Sequence, residues 1–431
     1  MIEKADVSNR YKGYVLLVLT GVYTFNFIDR QILVILQESI KAELGLSDTQ
    51  LGLLTGLTFA LFYVTLGIPI ARMADRSNRR NILAWSLGIW SLMTAVSGLA
   101  TNFVQLLLAR IGVGIGEAGG SPPSHSIISD YFPPEKRATA LSVYSTGIYI
   151  GILFGYLAGG WIDEFFGWRT AFFVIGLPGL AYALLLLFTV KEPVKGQSDS
   201  GTEIEETSFL EVFRILFSKK TFIYVSMACG LHTFTVYGMG NFFAPFLARV
   251  HGMSIGNIGM WMGIVVGFGG IIGTFAGGYL ADKYGSKNIR MYLLIPVIAG
   301  IASIPFSITQ IFHGNATFVL VMHFFTALLT ALYLGPSIAV THNLVNAKMR
   351  ALASAVLFFF LNLIGLGLGP LTIGYLSDVL TPTYGNESLR YAFCFTFIPS
   401  ILSMFLFYMA SKHYEDDIDQ TVKGASDTDV F

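Results

Sequence analysis

The feature that most constrains how this chain can fold is a short phrase that closes four of its long apolar runs. The phrase consists of a small residue, three further residues and an aspartate, and it occupies residues 71–75, 159–163, 278–282 and 374–378. The last two copies follow the first two by 207 and 215 residues, about half of the 431-residue length. The phrase RATA at Arg137 likewise returns as RALA at Arg350, 213 residues later. Repetition of this kind predicts two similar halves.

Composition places the apolar runs in a lipid bilayer. Hydrophobic residues make up 54% of the chain and charged residues 13%, whereas about 25% of the residues in an average soluble domain are charged. A helix needs about 20 apolar residues to cross the hydrocarbon core. We therefore predict an all-α membrane protein with two pseudo-symmetric six-helix bundles. The twelve predicted transmembrane helices lie at 13–37, 49–73, 82–100, 102–129, 137–163, 170–190, 221–247, 254–281, 289–310, 316–341, 350–379 and 389–411.

The positions of the basic residues predict the orientation of these helices. Cytoplasmic loops carry an excess of Lys and Arg, and most of the 27 basic residues fall on the side that holds the two termini. Both termini are therefore expected in the cytoplasm. The expected organisation is an N-terminal bundle (1–190), a cytoplasmic linker (191–220), a C-terminal bundle (221–411) and a cytoplasmic tail (412–431). Within the linker, FLEVFRILF is expected to form an amphipathic helix on the membrane face, and the acidic tail from Glu415 is expected to be disordered.

Two loops at equivalent positions of the halves carry related motifs. The first is ARMADRSNRR, residues 71–80, and the second is GYLADKYGSK, residues 278–287. Both resemble the signature loop of the major facilitator superfamily, Gly-x-x-x-Asp-Arg/Lys-x-Gly-Arg-Arg/Lys. In the first copy, Ala71 and Asn78 replace its two glycines. The fifth span resembles a glycine pattern of the family's antiporters, but Tyr156 stands where the usual proline would be, so this motif does not establish antiport.

Two further segments resemble the spinster branch of that superfamily. They are FNFIDRQ around Asp29 and RIGVGIGEA through Glu117, which is followed by IISDYF. Members of this branch move sphingolipids and lysolipids. The resemblance covers nearly the whole chain, and it implies the major facilitator fold and a transporter that cycles between inward-open and outward-open states.

Four ionisable residues lie well inside predicted spans, where each costs at least about 2.5–3.5 kcal/mol on insertion scales. They are Asp29 and Arg30 in the first span, and Arg110 and Glu117 in the fourth. Arg110 and Glu117 face the same side of one helix, with about 10 Å of rise between them. We expect Glu117 to be the main proton carrier and Asp29 a coupled second site, both near Arg110, with Arg30 reaching towards the cavity or a neighbouring helix. The alternative is a structural ion-pair network that only pins the N-terminal half.

The substrate is expected to meet a few polar and aromatic side chains in a largely apolar cavity. The planar guanidinium group of arginine presents parallel hydrogen-bond donors that suit a phosphate group. The chain also contains 36 Phe, 20 Tyr and 13 Met, which suit an apolar tail. The candidate substrate-binding residues are Arg30, Arg110, His232, Tyr237, Asn241, His323, Tyr333 and Asn362. As an alternative, each of the polar candidates in the second half is a packing contact between helices.

The signature loops are interpreted as a gate. Acidic groups at a helix end can pair with basic loop residues or with the N-terminus of a neighbouring helix, and such pairs would hold one conformation. The gating candidates are Asp75, Arg76, Arg80, Asp282 and Lys283. The alternative is that the positive charges only set the topology.

These features predict a secondary active transporter that couples protons to an amphiphilic lipid, such as a lysophospholipid or a sphingoid phosphate, and exports it by alternating access. We expect a monomer in the cell (inner) membrane, without a cofactor or a metal ion, and the zero net charge gives no sign of a nucleic-acid partner. Outside the spans, the sequence shows no paired carboxylates, no nucleophile with a base and no metal cluster, so we do not expect an enzyme. Two alternatives remain: a multidrug or organic-anion transporter of the same fold, and a membrane sensor that binds a ligand without moving it.

Overall fold

The computed structural model describes residues 8–196, 209–346 and 349–428. Within those ranges every regular element is helical, and the α-helices are numbered α1 to α19 in chain order. The chain divides into two compact units: unit 1 comprises Met1–Glu203 with Met253–Gly263, and unit 2 comprises Ile204–Gly252 with Ile264–Phe431. The first division of the chain, between residues 203 and 204, lies inside the predicted linker.

Unit 1 holds helices α1 to α9. A π-helical turn at Leu53–Leu57 joins α3 to α4, so that the two run on as one helix. The bounds are α1 Asn9–Ile35, α2 Gln37–Leu44, α3 Asp48–Gly52, α4 Thr58–Arg76, α5 Arg79–Ser97, α6 Phe103–Glu117, α7 Ser121–Tyr131, α8 Pro134–Phe166 and α9 Trp168–Thr189.

Unit 2 holds helices α10 to α19, except that the start of α12 belongs to unit 1. Short 3₁₀ turns at Ala331–Tyr333 and Gly385–Glu387 and a π-helical segment at Leu361–Leu368 connect some of these helices. The bounds are α10 Phe209–Ser218, α11 Lys220–His251, α12 Ile255–Gly285, α13 Met291–Phe312, α14 Ala316–Thr330, α15 Leu334–Asn343, α16 Arg350–Phe360, α17 Gly369–Tyr384, α18 Ser388–Cys394 and α19 Phe397–Thr428.

Nine helical runs within the described ranges are long and apolar enough to cross a membrane. The last of these runs, Leu352–Asp419, includes most of the predicted spans at 350–379 and 389–411. The predicted spans at 13–37 and 82–100 largely form α1 and α5, which are helical but are not among the nine. Each of the twelve predicted spans therefore lies on helical structure in the described part of the chain.

Glycines allow α8 to lie very close to α1. A Cβ atom on Gly151 would lie 2.6 Å from the Cβ of Phe27 and 2.6 Å from the carbonyl oxygen of Thr24. One turn earlier, a Cβ atom on Gly147 would lie 2.7 Å from the carbonyl oxygen of Thr20. Small residues permit such close helix contacts in membranes. The packing of α8 thus fixes the part of α1 that carries the ionisable residues.

The predicted amphipathic segment of the linker is helix α10. Its Val212 and Leu216 side chains are fully buried in an apolar cluster of unit 2 that also contains Phe222. This face of α10 therefore packs against protein, and the expectation that it lies on the membrane is wrong for these two side chains. Linker residues 197–208 lie outside the described ranges.

The expectation of a disordered tail from Glu415 is wrong for the part that the structure describes. Helix α19 continues through this region to Thr428, and residues 429–431 lie outside the described ranges. Tyr414 is fully buried in the apolar cluster of unit 2. The Asp417 carboxylate accepts a 2.8 Å hydrogen bond from the backbone N–H of Thr221, at the start of α11. Burial and this helix cap order the segment despite its acidic composition.

Candidate functional site

The predicted fourth span consists of two helices, and the ionisable residue Glu117 lies where they meet. Helix α6 ends at Glu117, and α7 begins four residues later at Ser121. Pro122 and Pro123 follow in the first turn of α7. Proline has no backbone N–H to donate within a helix, so the two helices cannot share one uninterrupted hydrogen-bond ladder. The interruption places the Glu117 carboxylate at the end of a helix in the interior of unit 1.

Arg30 of α1 forms an ion pair with Glu117 of α6. The Nε atom of Arg30 lies 2.7 Å from Oε2 of Glu117, and the exposed fractions of the two side chains are 16% and 0%. The guanidinium carbon lies 5.1, 4.7 and 5.0 Å from the ring centroids of Phe27, Phe59 and Tyr63. Ring faces attract cations at such distances. Arg30 is therefore held by one carboxylate and three aromatic rings.

The other polar atoms of this cluster are buried with few partners. Asp29 is 1% exposed, and neither of its carboxylate oxygens has a hydrogen-bond partner in the described part of the chain. Nη1 of Arg110 donates to the backbone oxygen of Asp29 at 3.4 Å, while Nε of Arg110 and Oε1 of Glu117 have no partner among the described residues. A buried polar atom without a hydrogen bond costs about 1–3 kcal/mol. The cluster thus retains donors and acceptors for a proton or a ligand.

The structure pairs Glu117 with Arg30. The sequence predicted that Asp29 and Glu117 lie near Arg110 and that Arg30 reaches towards the cavity or a neighbouring helix. Arg30 reaches from α1 to Glu117 on α6, and Arg110 donates to the backbone oxygen of Asp29. Which arginine pairs with Glu117 was not specified by the sequence.

In unit 2, two of the candidate substrate-binding residues lie together at an interrupted helix. Nε2 of His232, on α11, is 2.8 Å from the carbonyl oxygen of Thr330, the last residue of α14. The rings of His232 and Tyr333 have centroids 4.2 Å apart. Both side chains are half-buried. The 3₁₀ turn that contains Tyr333 separates α14 from α15.

The other unit 2 candidates have different surroundings. His323 is buried: its Nδ1 lies 2.9 Å from Oε1 of Gln310, and its ring stacks on Phe243 with centroids 3.8 Å apart. Nδ2 of Asn362 donates to the Phe358 carbonyl of its own helix at 2.8 Å. Two further candidates lie on α11, half-buried Tyr237 and buried Asn241.

The gating candidates of unit 1 lie at the end of α4 and the start of α5. The side chain of Asp75 lies outside the described part of the structure, and Arg76 is exposed. Arg80 donates through its backbone N–H to Oε2 of Glu192 at 2.8 Å and through Nη1 to the Val190 carbonyl at 3.3 Å. Arg80 therefore contacts the segment that follows α9.

In unit 2, the equivalent gating candidates contact tyrosines. Oδ1 of Asp282 accepts a hydrogen bond of 3.2 Å from the Tyr292 hydroxyl. The ammonium nitrogen of Lys283 lies 5.6 Å from the ring centroid of Tyr279. Among the described residues, no group of three or more His, Cys, Asp and Glu side chains has the arrangement of a metal site.

Sequence reasoning gave Arg79 no role beyond the basic charge of the signature loop, yet this side chain is buried and pairs with two carboxylates. It is 2% exposed and bonds Asp130, Glu192 at 2.7 Å, Ser126 at 2.8 Å and the Pro193 carbonyl at 3.0 Å. Burial lowers the pKa of Arg79, but the hydrogen bonds to Glu192 and Asp130 and the charges of these two carboxylates together outweigh burial and raise that pKa. The only signal in the sequence was a second arginine beside Arg80 in the signature loop. These contacts hold the start of the linker against unit 1.

Comparison with known proteins supplies the family. The model of the Major Facilitator Superfamily matches residues 19–316, more than half of the chain. The chain belongs to the major facilitator superfamily. This transporter is also similar to a solved bacterial homologue of the human lysosomal transporter Spinster, in an inward-facing and unoccupied conformation. The two chains are 34% identical with a TM-score of 0.88, and the match covers 95% of this chain and 99% of that one.

Curated relatives of this transporter agree with that family. An MFS-type efflux pump of Mycolicibacterium smegmatis is 32% identical over 403 residues, which are 93% of each protein. Protein spinster homolog 1 of Xenopus tropicalis is 26% identical over 390 residues, which cover 86% of this chain and 74% of that protein. The chain is therefore a multi-pass membrane transporter of the spinster-like branch, and its family consists of transporters rather than enzymes.

Proposed function

We propose that this protein is a proton-coupled transporter that moves an amphiphilic lipid, a lysophospholipid or a sphingoid phosphate, by alternating access. The observation that carries this proposal is the buried ion pair of Arg30 with Glu117, in which each side chain can serve one ligand. The carboxylate can take a proton, and the guanidinium can bind a phosphate. Similarity to a bacterial spinster homologue supports the lipid class only through the resemblance to the spinster branch, whose members move sphingolipids and lysolipids. We place the transporter as a monomer in the cell (inner) membrane with both termini in the cytoplasm.

The proton step follows from the contacts of Glu117. Oε2 holds Arg30 at 2.7 Å, and a proton on this carboxylate removes the charge that attracts the guanidinium. Arg30 is then available to a phosphate, for which its planar fork of donors is well suited. Loss of the proton restores the ion pair and favours release of the phosphate. Asp29 is the coupled second site, and Arg110 is the cation that stays in place between them.

The substrate step uses the rings around Arg30. Phe27, Phe59 and Tyr63 present apolar surface beside the guanidinium. An amphiphile places its anionic group and the start of its apolar chain within a few ångströms of each other, which matches this juxtaposition. A sugar, which needs many hydrogen bonds and little apolar surface, matches it poorly. In unit 2, we assign Tyr237, Asn241, His323 and Asn362 to the polar lining that serves the same substrate.

We assign the charged residues of the signature loops to gating. Asp75, Arg76, Arg80, Asp282 and Lys283 would stabilise one state of the cycle without contacting the substrate. The contacts of Arg80 with the segment after α9 support this role, because a loop tied to the linker can transmit movement of the linker. Substitutions here should change the rate of the cycle and leave substrate preference unchanged.

Flux of a labelled lysophospholipid in proteoliposomes tests the proposal. We expect protein-dependent flux that accelerates when a pH gradient is imposed, with protein-free liposomes measuring spontaneous movement of the lipid. Saturable binding without any flux would refute transport and favour a membrane sensor. Flux that does not respond to the pH gradient would refute proton coupling.

A second candidate function is multidrug or organic-anion transport by the same fold. The similarity to an MFS-type efflux pump, which extends over 93% of both proteins, favours it. Competition for binding separates the two candidates. The lipid transporter is supported if unlabelled lysophospholipid displaces labelled lysophospholipid and organic cations or small organic anions do not. The second candidate is supported if the organic ions displace the label more strongly than unlabelled lysophospholipid does.

A further inference from the structure

The interrupted helix that presents Glu117 has a counterpart in unit 2. Helix α14 ends at Thr330, and α15 begins at Leu334 after a 3₁₀ turn. Glu117 and Thr330, the last residues of α6 and α14, are 213 residues apart, the same separation as that of the repeated phrases at Arg137 and Arg350. Interrupted helices at corresponding positions of the two halves are the best indication of a binding site in a repeat-built transporter.

The hydrogen bond at this interruption defines which nitrogen of His232 carries the proton. Nε2 lies 2.8 Å from the Thr330 carbonyl oxygen, and a carbonyl only accepts, so Nε2 is the donor. In a neutral imidazole the other nitrogen, Nδ1, is then an acceptor. Nδ1 has no hydrogen-bond partner within the part of the chain that the structure describes. The ring is held in place by the bond to Thr330 and by its contact with Tyr333.

We propose that Nδ1 of His232 accepts a hydrogen bond from a hydroxyl or ammonium group of the lipid substrate. This inference rests on the proposed function and makes His232 a residue that determines specificity. Lysophospholipids and sphingoid phosphates carry such a donor on the glycerol or on the sphingoid base. A diacyl phospholipid has esters at both glycerol oxygens, so that any donor it carries lies in the head group. His232 therefore distinguishes lysophosphatidylcholine from diacyl phosphatidylcholine, whose choline head group carries no donor.

Two lipids that differ in one group test this assignment. One is 1-O-octadecyl lysophosphatidylcholine, which has a free hydroxyl, and the other is its 2-O-methyl ether. Binding of each to the full-length protein in detergent gives a ratio of dissociation constants. We expect the wild-type protein to bind the hydroxyl form about tenfold more tightly, the effect of one hydrogen bond. His232→Gln keeps an amide donor for the Thr330 carbonyl and leaves no acceptor at the position of Nδ1, so its ratio should fall to about one.

His342→Gln is the matched control. Nε2 of His342 lies 2.7 Å from the hydroxyl oxygen of Ser354, on another part of unit 2, and this variant should keep the tenfold ratio. A wild-type protein that binds both lipids equally would overturn the role of His232 and leave the proposed function standing. A His232→Gln variant that keeps the tenfold ratio of dissociation constants would also overturn the role of His232 and leave the proposed function standing. A wild-type protein that binds neither lipid would overturn the proposed substrate class and this inference together.

Discussion

At the scale of single residues, the two arginines of the buried cluster illustrate how burial alone does not define a role. Arg30 keeps 16% of its side chain exposed and is in contact with Glu117 and three rings. Arg110 is 2% exposed, and its hydrogen bond in the described part of the chain is to the backbone oxygen of Asp29, at 3.4 Å. We propose that Arg30, the more accessible guanidinium, meets the phosphate of the substrate. Arg110 would then supply a fixed positive charge.

Replacement of Arg30 by lysine should weaken binding of a lysophospholipid about tenfold to a hundredfold. Lysine keeps the positive charge but lacks the planar fork that binds phosphate with two parallel hydrogen bonds, and one hydrogen bond to a charged group is worth about 1.5–3 kcal/mol. Titration of a labelled lysophospholipid into the purified protein measures the change. Arg72→Lys, at an exposed position with no assigned role, should bind like the wild type. Unchanged affinity in Arg30→Lys would mean that the phosphate is held elsewhere.

Which charges lie in the membrane could be predicted from the sequence, but not how they pair. Asp29, Arg30, Arg110 and Glu117 stand out because each interrupts an apolar run. Their partners depend on how α1 crosses α6, and a single sequence carries no information about that crossing. The pairing of Arg79 was missed for the same reason, since its acidic partners lie 51 and 113 residues further along the chain.

At the scale of elements, close helix packing fixes the position of α1. The glycine face of α8 brings the two backbones together, so that a side chain of any size at Gly151 would overlap α1. The sequence predicted this face as a glycine pattern in the fifth span. It could not specify which helix the pattern meets, because small residues are compatible with many partners.

Gly151→Ala should therefore destabilise the protein by about 1–3 kcal/mol, the usual effect of overpacking. The new Cβ atom would lie 2.6 Å from the Cβ of Phe27 and from the carbonyl oxygen of Thr24. Gly88→Ala, on α5, is the control, because a Cβ atom there meets nothing within 4 Å, and alanine favours a helix over glycine. Thermal unfolding in detergent measures both. The packing argument fails if Gly151→Ala unfolds at the temperature of Gly88→Ala or higher.

Hydropathy predicted where helices lie and missed where they are interrupted. The runs at 102–129 and 316–341 each read as one span, yet each contains a break. A signal existed in both cases, since Pro122 and Pro123 lie in the first turn of α7 and Pro336 in the first turn of α15. The π-helical segments at Leu53–Leu57 and Leu361–Leu368 reflect shifts in backbone hydrogen bonding, which side-chain hydropathy does not report.

At the scale of the whole molecule, two units of similar construction carry different chemistry. Unit 1 has two carboxylates and two guanidinium groups at its interrupted helix, whereas unit 2 has a histidine and a tyrosine at the corresponding place. We propose that unit 1 couples the proton to the anionic group and that unit 2 binds a hydrogen-bond donor of the lipid. Repetition in the sequence predicted the duplicated fold, and the sequence also showed that the second half has no comparable acidic residue in the middle of a span.

Gradient-driven flux by Glu117→Gln tests the proton coupling most directly. Glutamine keeps the shape and a hydrogen-bonding group but cannot take up a proton, so the variant should fold, bind labelled lysophospholipid and exchange it across the membrane without a gradient. A pH gradient should no longer accelerate its flux in proteoliposomes. Glu43→Gln, whose side chain is 54% exposed, should respond to the gradient like the wild type. Acceleration of Glu117→Gln by the gradient to the wild-type extent would contradict the assignment of Glu117 as the proton carrier.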